Sequence, residues 1–175
     1  MRPKKLIPLM FLFNAVGNAN GEVSFLAETG FIVTNKITVQ STREDAWKVF
    51  SKQVDDWWPS DHTWWGKAGT LTIDTHAGGC FCEKMGNKSA EHMRVTFVEP
   101  NALLRMSGGL GPLQGMGMYG ALDWAFADTE QGTEVTLTYK VNGINPGGFK
   151  ELAPIVDRVQ AIQLSGLGQF IESRK

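Results

Sequence analysis

Three side chains in this sequence are suited to moving a proton: His62, Glu83 and His92. Imidazole titrates near neutral pH, and a neighbouring carboxylate fixes its tautomer and orientation. A Glu–His couple that lines a cavity is therefore an acid/base pair, whereas the same couple on a solvent-facing sheet is an ion pair contributing well under about 1 kcal/mol. Glu83 and His92 fall on successive strand-like segments. A hairpin register that pairs them also pairs Phe81 with Arg94, Cys82 with Met93 and Lys84 with Glu91, each chemically sensible. Both readings of the couple stay open at this point.

The cysteines lie in the run Gly78-Gly79-Cys80-Phe81-Cys82-Glu83. Strand alternation puts Cys80 and Cys82 on one face and Phe81 and Glu83 on the other. Residues two apart in an extended strand do not offer disulfide geometry, so the expectation is two reduced thiols on a cavity wall, even in an oxidising compartment. His76 extends the run to H-x3-C-x-C, a soft-ligand set. Structural zinc sites use well-separated ligand pairs, and no fourth ligand stands nearby, so no metal is expected.

Between Trp57 and Trp65 there are four indoles in nine positions: Trp57, Trp58, Trp64 and Trp65, around Pro59-Ser60-Asp61-His62-Thr63. So much aromatic area is either a plug over the open end of a core, an aromatic wall for a ring-shaped ligand with His62 as polar handle, or an exposed patch for a protein partner. Gly115-Met116-Gly117-Met118-Tyr119-Gly120 fits G-x-G-x-x-G, but it opens onto the alternating segment Leu122, Trp124, Phe126 and not onto a helix. It is not a dinucleotide fingerprint, and no cofactor is expected.

The elements that must position these groups are legible from periodicity. Leu152, Ile155, Val156, Val159, Ile162, Leu167, Phe170 and Ile171 recur at three- and four-residue spacings, which predicts a long amphipathic helix starting near Phe149 or Glu151. Gly166 and Gly168 each cost it about 1 kcal/mol relative to Ala and call for a reason such as close backbone approach. Phe31 to Val39 alternates as a first strand. Ser41 and Glu44 form a capping-box pair before a helix over Arg43 to Val54. Strands are predicted at Thr70 to Thr75, Gly79 to Lys84, Glu91 to Val98, Ala102 to Ser107, Met118 to Ala127 and Thr133 to Asn142. The order of strand, helix, run of strands and long helix predicts an α+β fold whose antiparallel sheet carries the last helix.

Arg2, Lys4 and Lys5 precede the apolar run Leu6 to Phe13, and Gly17 and Ala19 supply a small-x-small pattern, so residues 1–19 read as a secretory signal peptide. That predicts a periplasmic or secreted product with no membrane span after signal removal. The formal net charge is −1; without the leader, 14 basic groups face 18 acidic ones. This balance gives no basic footprint for nucleic acid. Residues 20–30 read as a loose lead-in, and residues 31–175 as one domain with room for a core and a cavity.

Several stretches taken together resemble a known group of proteins. These are Ala46-Trp47 with Phe50, the run Trp57 to Gly66, Gly78 to Glu83, Leu104 to Gly120, Gly132 to Tyr139 and the closing helix. They resemble the SRPBCC group, the START/Bet v 1-like superfamily, with the polyketide cyclase/dehydrase-like and Hsp90-ATPase-activator-homologue-like branches nearest. The leader is a departure from the cytosolic co-chaperone branch. The resemblance covers about Phe31 to Ile171 and implies a helix-grip fold, a curved antiparallel sheet wrapped around the C-terminal helix. Such a fold carries an apolar cavity that in relatives holds lipids, sterols or polyketides. Fold does not fix chemistry, and the group has no universal catalytic motif to carry over.

The functional expectation is an exported binder of a small hydrophobic molecule. Its cavity would be bounded by Trp57, Trp58, Trp64, Cys80, Cys82, Met93, Trp124, Val159 and Ile162. The competing classes are a cofactor-independent enzyme using His62, Glu83 or His92, and a protein-interaction module using the tryptophans.

Overall fold

A computed structural model describes residues 19–66 and 69–174, so all but the last residue of the expected leader lie outside the described residues. The chain opens with a hairpin of β1 (Asn20–Ala27) and β2 (Gly30–Val39). Residues 20–30 are thus no loose lead-in: β1 pairs along β2, with Val23 opposite Val33. It sits at the sheet edge with most side chains in solvent, so its backbone is recruited without the apolar alternation that announces a half-buried strand.

Helix α1 (Arg43–Lys52) follows, capped one residue later than the expected Ser41. The Thr42 hydroxyl accepts from Asp45 N at 3.1 Å, satisfying a first-turn amide that has no partner within the helix. The helix ends at Lys52, and after Gln53, whose backbone is not helical, a short α2 (Val54–Trp57) follows. The run of strands then comes in order: β3 (Leu71–Ile73), β4 (Cys80–Met85), β5 (Lys88–Glu99), β6 (Leu103–Gly108), β7 (Tyr119–Thr129) and β8 (Gly132–Asn142). A single-turn α3 (Pro112–Gly115) interrupts it before β7, and α4 (Leu152–Glu172) closes the chain.

The eight strands form one antiparallel sheet in the order β1-β2-β8-β7-β6-β5-β4-β3. Each neighbour is also next in sequence except where β2 meets β8. The inner face buries Val33, Ile37, Leu104, Met106, Leu122, Trp124, Phe126, Leu137 and Tyr139 beneath the helices. At one end Phe50 packs on Trp124 at 4.9 Å and on Phe126 at 5.3 Å, and Trp57 meets Trp124 edge-on at 5.7 Å. Ring pairs at these separations add about 0.5–1.5 kcal/mol each beyond their buried area. This is the α+β helix-grip architecture expected from the order of elements.

The two glycines of α4 have the reason they called for. A Cβ at Gly166 would lie 2.6 Å from the Trp57 carbonyl oxygen, and one at Gly168 would press on Ile37 and Val39. At Gly166 the last helix therefore meets the backbone of α2 more closely than any larger residue permits, whereas at Gly168 the nearest atom is the movable end of the Ile37 side chain. Gly166→Ala gains about 1 kcal/mol of helix propensity but drives a methyl into backbone that cannot swing aside. The expected net effect is a loss of about 1–3 kcal/mol. Urea denaturation of the variant checks this, and a variant more stable than the parent would show that the close approach does not exist.

Candidate functional site

The site is built on an irregularity between β4 and β5. Phe81 pairs with Met93 but Cys82 pairs with Glu91, so β5 carries one extra residue, and that residue is His92. Regular alternation would send His92 and Met93 to opposite faces. The bulge turns both inward, and the two consecutive residues are buried. The register expected from the sequence is therefore displaced, with Arg94 opposite Cys80 and Ala90 opposite Glu83. Glu83 and His92 nonetheless meet, as a consequence of the bulge and not of direct pairing.

Their meeting is buried. The His92 side chain is 4% exposed and that of Glu83 0%, with His92 Nε2 2.9 Å from Glu83 Oε2. The reading of the couple as a solvent-facing ion pair is thereby corrected. A carboxylate taken out of water needs donors, and Glu83 has three: Trp64 N donates to Oε2 at 3.0 Å, Trp65 N to Oε1 at 3.2 Å, and His92 completes the set. The imidazole stacks on two rings, with the Phe81 centroid at 4.9 Å and 29° from parallel and that of Trp64 at 6.5 Å and 4° from parallel. Burial holds the His92 pKa below its ordinary 6.5, an effect partly opposed by the hydrogen bond and charge of Glu83.

The Trp-rich stretch is a loop tied at several points. Asp55 accepts from Thr70 N at 2.9 Å and Leu71 N at 2.8 Å, so the start of β3 is pinned to α2. Within the loop, Trp58 Nε1 donates to the His62 carbonyl at 3.1 Å and Gly66 N donates to the Thr63 hydroxyl at 2.7 Å. Between this loop, α3 and α4 lies a cavity of about 360 Å³. Trp58, Trp64, Leu113, Met116, Val156 and Val159 supply much of its apolar wall, and Asp61, His62, Thr63, His92, Gln160 and Gln163 are among its polar groups. Tyr139 lines it too, its hydroxyl donating to Gly108 O and accepting from Leu110 N, both at 2.9 Å. Burial pushes the Tyr139 pKa up to about 12. The lining includes no lysine or arginine among the described residues.

Of the expected residues, Trp58, Trp64, Val159, His62 and His92 are brought together on this cavity. Trp57, Trp124 and Met93 are in the packed core instead. Trp57 donates from Nε1 to Phe50 O at 3.3 Å and covers Trp124, so these two indoles close the core. Ile162 is 50% exposed. The inward face of α4 keeps Val156, Leu167 and Ile171 of the expected stripe but also takes in Gln160 and Gln163, while Ile155 and Ile162 are about half exposed. Gln160 Nε2 donates to Gln163 Oε1 at 3.0 Å, and Gln163 Nε2 is 3.5 Å from His62 Nδ1. Gln160 is 2% exposed and its Oε1 has no partner. Buried glutamines facing one cavity from successive helical turns were the missed signal; they sit at 160 and 163, a helical i, i+3 spacing.

Cys80 and Cys82 depart most from expectation. They form a disulfide, with Cα atoms 5.4 Å apart, and no free cysteine remains among the described residues. An ideal strand would separate these Cα atoms by about 6.6 Å, so the strand is contracted here, opposite the bulge of β5. Both lie on the face away from the cavity, because Phe81 and Glu83 are the residues that turn inward. Neither sulfur is a thiolate available to a metal, and His76 Nδ1 is instead 2.7 Å from Asp74 Oδ1 at the surface.

The depressed His92 pKa makes stability depend on pH. The unfolded chain takes up this proton first, so the contribution is complete above about pH 6.5 and is lost as pH falls toward the folded value. Urea midpoints measured at pH 7.5 and pH 5 are expected to fall less in His92→Gln than in the parent. An equal fall in both would mean that His92 is not held neutral by burial.

No family model and no curated protein match the sequence. Among solved structures, the chain is similar to an uncharacterised protein from Rhizobium leguminosarum, with a TM-score of 0.62 at 15% identity, covering 89% of this chain and 98% of that one. It is also similar to CalU16 from Micromonospora echinospora, at 0.58 and 14%, covering 89% and 84%. The Aha1 dimer from Colwellia psychrerythraea gives 0.56 and 14%, covering 79% and 94%. At such identities the likeness is one of fold, and the shared fold is a curved antiparallel sheet with a long C-terminal helix packed on it, the helix-grip arrangement.

Proposed function

We propose that the protein is an exported binder of a small, neutral, mostly apolar molecule held between the Trp-rich loop, α3 and α4. The observation that carries this reading is the cavity of about 360 Å³, apolar and ring-walled, with a few convergent polar groups. Among the described residues its lining holds no lysine or arginine, so a buried carboxylate such as that of a fatty acid finds no cation among them. Gln160 and Gln163 line the cavity from α4, which suits a ligand that brings hydroxyl or amide groups. A docking patch for a protein finds less support, because Trp57 and Trp58 are buried and among the four indoles Trp64 alone is about half exposed. The disulfide accords with an oxidising compartment, as does the leader-like pattern of residues 1–19.

Binding is tested with N-phenyl-1-naphthylamine, a neutral probe that fluoresces in apolar surroundings. Saturable binding is expected at one site per chain, and Val159→Trp, which fills the cavity, is expected to weaken it at least about tenfold while costing about 1–3 kcal/mol of stability. Undiminished binding in that variant would place the ligand elsewhere. Mass spectrometry of natively purified protein is expected to find a co-purifying neutral compound. For export, the N-terminus of the periplasmic or secreted protein is expected at Asn20; retention of residues 1–19 in the mature chain would overturn that part.

A further inference from the structure

We propose that Glu83 and His92 form a general base built into this cavity, with His92 Nδ1 taking a proton from a carbon acid on an apolar, ring-bearing substrate and Glu83 acting as the positioning residue. The inference rests on the ligand-cavity reading above and extends it from binding to reaction.

The assignment of atoms follows from hydrogen-bonding capacity. Glu83 already accepts from two backbone amides, so it acts as a carboxylate, and the nitrogen facing it must carry a hydrogen. That nitrogen is Nε2. The lone pair of a neutral ring therefore sits on Nδ1, which has no partner among the described residues and is not one of the sealed, unpartnered atoms. The stacked Phe81 and Trp64 rings fix the plane of the imidazole, so the lone pair keeps one direction without an ordering cost at each encounter.

The protonation state fits the role. An imidazole held below 6.5 by burial is free base at neutral pH. The titratable groups on the elements around it are Glu83 from β4, Asp61 and His62 from the loop and Tyr139 from β8, while α3 and α4 contribute no charged side chain to the cavity. Asp74 and His76 supply an internal contrast. They make the same kind of pair at 2.7 Å, but with side chains 60% and 65% exposed. Chemistry alone does not distinguish the two pairs; enclosure does.

A reaction that needs only a base in an apolar pocket tests this without knowledge of the natural substrate. In 5-nitrobenzisoxazole the base removes the proton from C3, the C–H electron pair forms the second π bond of a nitrile, the N–O bond breaks, and its pair remains on oxygen as a coloured phenolate. Nothing is oxidised or reduced by a second reagent. The mature protein is expected to turn this probe over with kcat/KM at least about 10²-fold above the rate constant of free imidazole. The rate should rise with pH through a midpoint below 6.5 and be flat above about pH 7.

His92→Gln is expected to lose about 10²-fold or more of that rate. It should still bind 5-nitrobenzotriazole, which has the same shape without the cleavable bond. Glu83→Gln removes the interactions that raise the His92 pKa, so its midpoint should move lower still and its rate fall. His76→Gln should leave the rate unchanged. Binding of the benzotriazole with turnover no faster than imidazole, or full activity in His92→Gln, would overturn the base while leaving the cavity reading intact. No binding of either compound would overturn both. Should His92→Gln fail to fold, a parent profile without a step below pH 6.5 would decide against the proposal.

Discussion

The interaction on which the rest of the site depends is the burial of one carboxylate. A bare charged Glu83 in this position would cost several kcal/mol, and the chain meets that cost with three donors. Trp64 N and Trp65 N arrive from the loop, and His92 Nε2 arrives from the neighbouring strand. Each donor is a geometric demand. The loop must fold back over β4 to present two consecutive amides, and β5 must bulge to bring His92 inward. The aromatic wall and the imidazole edge of the cavity are thus placed by the same charge.

Asp55 acts in a comparable way at the other end of the loop. By accepting from the amides of Thr70 and Leu71 it closes the segment that begins at α2. Pinned at both ends by carboxylates, the loop carries its tryptophans to different fates. Trp57, nearest α1 and α2, joins the core with Phe50 and Trp124; Trp58 is buried yet still reaches the cavity; Trp64 forms the outer wall, stacked over His92 at an interplanar angle of 4°. The plug and the ligand wall are therefore both realised, by different residues of one stretch.

What could be read from the sequence divides along a physical line. Features set by local periodicity were legible: α4 from its three- and four-residue spacing, and the strands from Leu71 to Asn142 from alternation and turn residues. Features set by a partner were not. The bulge at His92 is a property of two strands in register, and no single-strand pattern announces it. The disulfide follows from strand contraction there, which idealised geometry excludes. The inward face of α4 was legible at Val156, Leu167 and Ile171 but not at Gln160 and Gln163, for a related reason. A helix that packs on a solid core turns its apolar side inward, but one that borders a cavity can turn Gln160 and Gln163 inward and leave Ile162 in solvent.

That exchange bears on why the cavity persists. A sealed, dry apolar void costs about 24 cal/mol per Å³, but this cavity is partly open, with Trp64, Met116 and Ile155 exposed at its rim. A space of that kind would collapse unless its walls were held apart or its interior were wet. Both conditions are met. The walls belong to elements fixed elsewhere, α4 by the close approach of Gly166 and Gly168 to Trp57 and Ile37, and the loop by Asp55 and Glu83. Gln160, Gln163, His62 and His92 offer hydrogen-bonding partners that let water occupy the space at little cost. The polar residues that weaken the apolar stripe of α4 are thus the ones that make an open interior tolerable. A ligand entering it must replace what those groups bond to as well as cover the tryptophans.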